Sequence, residues 1–528
     1  MRDGCWRVVL SLSFGAVLIL SIGFFLDRPV LGCLICGLML VLCLPPVGFF
    51  PFFFVSISCF LLLLRRAKNI REAFFFGYVL AFAYFLGVFY WTIFAFSELL
   101  AEFRLFAPVA FFGVPFVLSF GWGLASAGAY LVRTCAVSYV LMYAALLVFA
   151  EYFRSGLLVD TPWAPIAMGW YRFPAMMQVL SISGVYLLGF LTVLFAAMPF
   201  LWHARQRVFC MVIISLFIAC ALWGYGRYAA PIAYDHDANI QIVQPAIDDW
   251  QDDVGGLDEQ VLSVIEQRLS TIKNNQGITI SLWPEAMFSI HRDQDDEWRR
   301  RIADAMPDHT YVALGVRRVI PKPEGARVYN SLLILDQAGD VVDVYDKFHL
   351  TPWSEKIPYE GFVRHSPLAG IVAHKQSLTR GNGARVISLE GVGGVIPQIC
   401  YDSAYPGYLP DVNVPPRLIM MSSYDDWTFG TSHPYQGFEM ARMRAIETGV
   451  PVARAANSGI SALFDGRGRV VDQVQIGRRG EILSPLPRGE VRLTPYVKWR
   501  DGPVLGLCGL IVFMIGMSYL FGNKKGAG

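Results

Sequence analysis

Val395-Ile-Pro-Gln-Ile-Cys-Tyr-Asp402 reads as a strand of the fully buried kind, ending in a cysteine, a tyrosine and a carboxylate. Its apolar residues run almost unbroken, the pattern of a strand covered on both faces. Cys400 follows that strand, where a side chain is well placed to project into a cleft. A buried core cysteine is the commoner outcome for a cysteine taken at random, so the surroundings decide. On either side lie more short apolar segments. Ile240–Gln244, Ile278–Trp283, Tyr311–Gly315, Gly394–Ile399 and Leu418–Ser422 each read as a strand. Ser331–Leu335 and Val341–Tyr345 flank Gln337-Ala-Gly-Asp340 as a hairpin. Residues 257–275 carry Leu257, Val261, Val264, Ile265 and Leu269 on one helical face, and Pro434–Glu447 reads as a second helix. Val452–Ala455, Ile460–Phe464 and Val470–Val474 close the set, with Asp465-Gly-Arg-Gly468 as a tight turn. The mixture predicts an α/β domain whose sheets are covered by helices.

Two further strands of that block end in reactive groups. Glu285 ends Leu282-Trp-Pro-Glu285, where proline stops the ladder and turns the chain. Lys347 closes Val344-Tyr-Asp-Lys347. Singly, these read as a solvated carboxylate and a surface lysine. Together with Cys400 they put a thiol, a base and a cation at three strand ends of one domain. A thiol must become a thiolate to attack, which a nearby base or cation promotes. A carboxylate serves as general base and then acid. An ammonium stabilises the oxyanion of a tetrahedral intermediate.

Beyond this block the chain changes character. Of its 528 residues, 55% are hydrophobic and 16% charged, with a mean hydropathy of +0.45. Soluble domains carry about 25% charged residues. Apolar runs near 6–25, 29–44, 47–64, 73–95, 107–132, 138–153, 178–202, 207–224 and 503–521 approach the ~20 residues that cross a bilayer. Only Leu44-Pro45-Pro46 separates the second and third, so the total is eight or nine spans. Arg65, Arg66, Lys68 and Arg71 mark one loop as cytoplasmic. His203, Arg205 and Arg207 mark another, and Lys524 and Lys525 mark the tail. Counting spans between the markers puts all three on one side and the polar block on the other. The expected division is a bundle over 1–225, a polar domain over 226–495 and a last span with a short tail over 496–528. Glu151 and Arg154, at the end of one span, are among few ionisable residues in the bundle, which argues against a pump or carrier.

Other chemistries find little support. Among ten cysteines, Cys400 alone lies in the polar block, so no disulfide or cysteine zinc site forms there. Cys33 and Cys36 form a CxxC inside an apolar run, where cysteine behaves as a small hydrophobe. The eight histidines show no metal-ligand spacing. Gly391, Gly393 and Gly394 make a turn with no helix start behind it, which argues against a nucleotide. A net charge of +2 and the short basic run Gly315-Val-Arg-Arg318 argue against nucleic acid.

The polar block resembles the nitrilase, or carbon–nitrogen hydrolase, superfamily. The whole chain is similar to the bacterial apolipoprotein N-acyltransferase family, which joins such a domain to a membrane bundle. The matching stretches are Leu282-Trp-Pro-Glu-Ala286, Tyr329-Asn-Ser331, Tyr345-Asp-Lys-Phe-His-Leu-Thr-Pro-Trp-Ser-Glu355, Ile399-Cys-Tyr401, Gln436–Glu447 and Asn457-Ser-Gly-Ile460. In the membrane part, Glu151-Tyr-Phe-Arg154 and Thr161-Pro-Trp163 also match.

That resemblance implies an extracytoplasmic αββα sandwich beside a multi-pass α-helical membrane bundle in the bacterial inner membrane. It implies Cys400 as nucleophile, Glu285 as general base and Lys347 as oxyanion partner, with Glu355, Tyr401 and Asp402 in support. Asp402 stands where the family usually has Glu, and Ala286 where it often has Ser or Thr. Ser423-Tyr-Asp-Asp-Trp-Thr-Phe-Gly430 is an altered form of the family's Asn-Asp-x-Trp-Phe-Gly loop, with Tyr424 or Asp425 in place of its Asn. The implied partners are a phospholipid acyl donor (phosphatidylethanolamine), a diacylglyceryl-cysteine apolipoprotein and the bilayer, with no metal or other cofactor. Trp353, Tyr359, Phe362, Tyr405 and Tyr408 are candidates for an acyl groove or for ordinary packing. A membrane-tethered amidase that passes the acyl group to water uses the same three residues. An inactive scaffold does not need them.

Overall fold

The computed structural model describes residues 27–94, 107–156, 160–247, 257–272, 277–291, 295–323, 325–365, 369, 377–410, 415–490 and 492–524. The apolar run at 6–25 and Lys525 lie outside them. The bundle begins with α1 (Pro29–Val41) and α2 (Phe52–Arg65), of 13 and 14 residues. At 1.5 Å per residue each reaches about 20 Å, short of a ~30 Å hydrocarbon core. The stretch around Leu44-Pro45-Pro46 thus separates two distinct helices, neither long enough to span alone. Then come α3 (Ile70–Val88), α4 (Ala107–Tyr130), α5 (Ala136–Arg154), α6 (Leu180–Ala196), α7 (Met198–His203) and α8 (Arg207–Ala229). Asn69 caps α3 by accepting from the Glu72 N–H at 2.9 Å, which satisfies one of the first-turn amides. Backbone angles break α6 at Ser183 and Gly184. With the C-terminal helix, six helices among the described residues are long and apolar enough to cross a membrane. The expected domain boundary at 225 falls inside α8.

The polar block folds into two sheets. The first, in the order β13-β1-β2-β4-β5-β6 with β3 also on β4, comprises β1 (Tyr234–Gln244), β2 (Ile278–Leu282), β3 (Phe288–His291), β4 (Thr310–Ile320), β5 (Arg327–Leu335), β6 (Val341–Asp346) and β13 (Gly480–Pro487). The second, in the order β12-β11-β10-β9-β8-β7, holds β7 (Ile387–Leu389), β8 (Gly393–Ile399), β9 (Leu418–Ser423), β10 (Val452–Ala456), β11 (Ser461–Phe464) and β12 (Val470–Val474). Ile240, Ile242, Ile280 and Leu332 of the first sheet pack directly on Ile399, Met420, Ala453 and Leu463 of the second. Helices α9 (Leu257–Leu269) and α10 (Asp295–Ala305) cover the first sheet through Val261, Ile265 and Ile302. Helix α11 (His433–Thr448) covers the second through Ala441 and Ala445. The layers are therefore α-β-β-α, as the resemblance implied. The opposite side of α11 carries Met440, Met443 and Ile446, which join the bundle's own core. Helix α11 is buried on both sides, and α12 (Gly502–Lys524) returns to the bundle.

Among the strands and helices named above, β3, α10, β7 and β13 escaped the sequence pattern. Of these, β13 pairs antiparallel with β1 and forms the sheet edge, so the set does not close at Val474. Its sequence, Gly-Glu-Ile-Leu-Ser-Pro-Leu-Pro, carries two prolines, which only an edge strand tolerates.

Candidate active site

Strands β2 and β3 pair one after the other with the same strand, β4: Thr279–Leu282 with Thr310–Ala313, then Phe288–His291 with Val316–Val319. The chain between them leaves the sheet, and Glu285 stands at the crest of that excursion. Its two ends are tied down. The Trp283 N–H donates to Ala313 O at 3.0 Å, and the Met287 N–H donates to Gly315 O at 2.7 Å. Pro284 has no N–H to leave unpaired. Only glycine fits at 315, since a Cβ there would lie 2.1 Å from Pro284 O and 2.5 Å from Glu285 Cα.

Lys347 is the first residue past β6. Its side chain is 1% exposed, and Nζ lies 2.8 Å from Glu285 Oε1 and 2.8 Å from Glu355 Oε2. Asn330, on β5, donates from Nδ2 to both carboxylates at 2.7 Å. The Thr351 N–H donates to Glu355 Oε2 at 2.8 Å. One ammonium is thus held between two carboxylates, which are in turn held by one amide. Burial opposes the Lys347 charge, but Glu285 and Glu355 outweigh it and hold the lysine above its ordinary value. For Glu285 burial wins over Lys347, and its carboxyl rises. Burial also opposes the Glu355 charge, but Lys347 and the Thr351 and Asn330 hydrogen bonds bring that carboxyl below its usual range. Breaking a buried pair of this kind by removing one partner costs about 3–5 kcal/mol.

Cys400 directly follows β8 and opens the short 3-10 turn Cys400–Ala404. Its φ of +44° is costly for a residue with a side chain and is sustained only where the surroundings over-determine it. Asp402 supplies that determination. Its Oδ2 accepts from the Ile399 N–H at 3.0 Å and from Tyr345 Oη at 2.9 Å. Its Oδ1 accepts from the His349 N–H at 2.9 Å. The carboxylate therefore grips the residue before Cys400 and the residues two before and two after Lys347. The thiol is pushed up by burial and by the Glu285 carboxylate, with Lys347 working the other way. Burial thus disfavours the thiolate form of Cys400.

The bundle reaches this turn through one loop. Trp122 Nε1 donates to Glu151 Oε1 at 3.0 Å, and Glu151 pairs with Arg154 at 2.8 Å. Arg154 Nη1 donates to the carbonyls of Thr161 at 2.7 Å and Trp163 at 2.9 Å. Glu151 and Arg154 thus serve as a fixed bracket for the loop that leaves α5. On that loop Asp160 accepts from Tyr401 Oη through its carbonyl at 3.1 Å, lies 2.5 Å from Tyr405 Oη through Oδ1, and pairs with Lys356. Trp163 stacks on His433, with centroids 4.6 Å apart and planes 2° apart, and its Nε1 donates to Gln436 at 2.6 Å. His433 also meets Trp91 and Trp427. Burial pushes it down to about 4, so it is neutral.

The structure brings Glu285, Lys347 and Glu355 into direct contact, and Tyr401 and Asp402 follow Cys400 in the same 3-10 turn. Tyr405 and Tyr408 are engaged with Asp160 and Tyr345, and Trp353 packs on Ile357 and Val363. Tyr359 and Phe362 are exposed. In the altered loop, Asp425 pairs with Arg454 at 2.9 Å and Asp426 accepts from the Ser458 N–H at 3.0 Å. Sequence reasoning assigned no role to Asn330, Asp160 or His433. Asn330 was within reach, lying in the matching Tyr329-Asn-Ser331 stretch. No local pattern marks the other two. Among the described residues no group of three or more His, Cys, Asp or Glu side chains is arranged to hold a metal ion.

The chain is similar to known proteins along most of its length. The apolipoprotein N-acyltransferase N-terminal domain model matches residues 36–198, and the carbon–nitrogen hydrolase model matches residues 229–496. An apolipoprotein N-acyltransferase of Agrobacterium fabrum is 30% identical over 470 residues, covering 86% of this chain and 89% of its own. One of Allorhizobium ampelinum is 29% identical over 463 residues, covering 84% and 87%. A solved carbon–nitrogen hydrolase superfamily protein from Xanthomonas campestris is 20% identical, with a TM-score of 0.34, covering 48% of this chain and 91% of its own. The two models take up the helices and the sandwich in turn, and the Agrobacterium relative spans both at 30% identity: the chain belongs to the apolipoprotein N-acyltransferase family, a carbon–nitrogen hydrolase domain set on membrane helices.

Proposed function

We propose that this protein moves an acyl chain from a phospholipid, through a thioester on Cys400, to the N-terminal α-amine of a diacylglyceryl-cysteine apolipoprotein. The observation that carries it is the buried Lys347 ammonium held between Glu285 and Glu355, in electrostatic reach of the strained Cys400 turn. Glu285 takes the thiol proton as the sulfur attacks the ester carbonyl. Lys347 faces the oxyanion that forms. Collapse breaks the ester C–O bond, and the lysophospholipid leaves with the proton from Glu285. The amine then attacks the thioester, Glu285 accepts its proton, and the sulfur leaves and is reprotonated. Asn330, Glu355 and Asp402 position these groups, while Tyr401 ties the nucleophile turn to the bundle.

Joining the domain to long apolar helices suits substrates that are both lipid-anchored. The lysine- and arginine-rich loops favour a domain on the periplasmic side of the inner membrane. The test is intact mass of purified protein with phosphatidylethanolamine. An acyl adduct that hydroxylamine releases and that Cys400→Ala never forms supports the reading, as does transfer to a diacylglyceryl-cysteine peptide. Absence of an adduct with any phospholipid rejects it in favour of a tethered amidase.

A further inference from the structure

The segment Leu378–Gly381 belongs to no strand or helix, yet it is fastened to the backbone that carries the charged centre of the site. The Leu378 N–H donates to Glu355 O at 2.7 Å, the Thr379 N–H to Val328 O at 2.7 Å, and the Gly381 N–H to Lys347 O at 2.9 Å. The fit is tight. A Cβ at Gly381 would stand 2.0 Å from Asp346 O. Its ties thus run to the backbone of two of the three members of the buried ion network, and Arg380 is the residue between those ties.

Arg380 is exposed and lies over the Phe348 ring, with Cζ 3.5 Å from the centroid. Phe348 follows Lys347 and is itself stacked on Tyr408. A guanidinium resting on an aromatic face keeps its in-plane donors free. No carboxylate pairs with it among the described residues. By contrast Lys356 and Arg364, cations of the loop after Lys347, are matched by Asp160 and Glu360. Burial and the Arg380 and Lys356 charges disfavour protonation of the His349 ring, with Asp160 working the other way, so the potential of Arg380 reaches a residue whose backbone N–H Asp402 ties to the nucleophile turn. Nothing in the chemistry of Cys400 uses Arg380.

We propose that Arg380 binds the phosphate-ester anion of the acyl donor and so selects a phospholipid over a neutral lipid. This rests on the reading that a phospholipid acylates Cys400. A planar guanidinium matches two phosphate oxygens at once. In a glycerophospholipid only the glycerol unit separates the ester from the phosphate. A cation that lies over Phe348, on a segment bonded to Lys347 O, is placed to meet the phosphate when the ester carbonyl meets Cys400.

The test measures Cys400 acylation in the full chain and in Arg380→Ala and Arg380→Lys, with two donors: phosphatidylethanolamine, and a long-chain p-nitrophenyl ester that carries no phosphate. The expected result is a tenfold or greater loss of kcat/KM for the phospholipid in Arg380→Ala, mostly in KM, with the ester unchanged. Arg380→Lys, which keeps the charge but not the fork, recovers part of the loss. Equal loss with both donors would mean that Arg380 only supports the fold, and no loss with either would mean that it binds nothing. Both outcomes overturn the inference. Glycerophosphoethanolamine should slow wild-type acylation by the ester at a concentration where inorganic phosphate does not. Equal slowing by the two assigns the site to free phosphate and overturns the lipid assignment. If wild-type protein accepts the ester but never a phospholipid, the proposed donor itself has failed. If it accepts both and Arg380→Ala is indifferent, only the role of Arg380 has failed.

Discussion

Asp402→Asn isolates the tie between the nucleophile and its cation, because it changes one oxygen to a nitrogen and leaves the volume almost unaltered. Two carboxylate oxygens serve three donors: the Ile399 N–H and Tyr345 Oη on one, the His349 N–H on the other. A carboxamide has one acceptor oxygen. If it faces Ile399 and Tyr345, its NH2 is set against the His349 N–H. If it flips, Ile399 and Tyr345 lose their acceptor. The better choice leaves one buried donor unsatisfied, at roughly 1–3 kcal/mol. At about 2–4 °C per kcal/mol for a domain of this size, Tm falls by a few degrees to about 10 °C. The rate suffers more. His349 and Tyr345 bracket Lys347, so their release lets the ammonium drift relative to Cys400, and a ~1 Å misplacement costs on the order of 10²-fold. Single-turnover acylation of Cys400 by intact mass, beside a thermal melt in the same detergent, reads both effects. A variant that melts like wild type and acylates within about twofold of it would refute the idea that Asp402 positions the two groups.

Two further perturbations use the electrostatics directly. Because the Glu285 carboxylate raises the Cys400 thiol, Glu285→Gln should move the pH midpoint of iodoacetamide reaction at Cys400 downward while acyl transfer is lost. An unmoved or higher midpoint, read by peptide mass, contradicts the arrangement. Glu447, on α11, is pushed by burial from 4.5 to about 8, against the pull of Arg444. The folded form therefore holds a proton that the unfolded chain gives up. Stability from this group is complete below about pH 4.5 and is lost as pH rises through about 8. Tm should decline between pH 6 and 8 in wild type, and the decline should flatten in Glu447→Gln, whereas an unchanged slope would show that Glu447 is ionised in the fold.

Much of the sandwich was legible because its strands are buried on both faces, so Ile278–Leu282, Val395–Ile399 and Leu418–Ser423 are short, mainly apolar runs that stand out from the polar sequence around them. Strand β13 was not, since Pro485 and Pro487 obey the chemistry of a sheet edge, and an edge exists only once the sheet does. The helix Pro434–Glu447 was legible in extent. Its burial on both sides was not, because nothing in a helix that carries Glu439, Arg442, Arg444 and Glu447 marks these side chains as buried until the bundle is placed against it.

The chain alone determined that apolar helices carry an α/β domain and that Glu285, Lys347 and Cys400 each follow one of its strands, because these follow from local composition and from matching stretches of sequence. Only the tertiary structure decided what each end faces. Glu285 and Lys347 are 62 residues apart, and Asp160 meets Tyr405 across 245. Partners so distant are chosen by how β2, β3 and β4 share an edge and by where the bundle holds its loop, and neither leaves a trace in the residues around them.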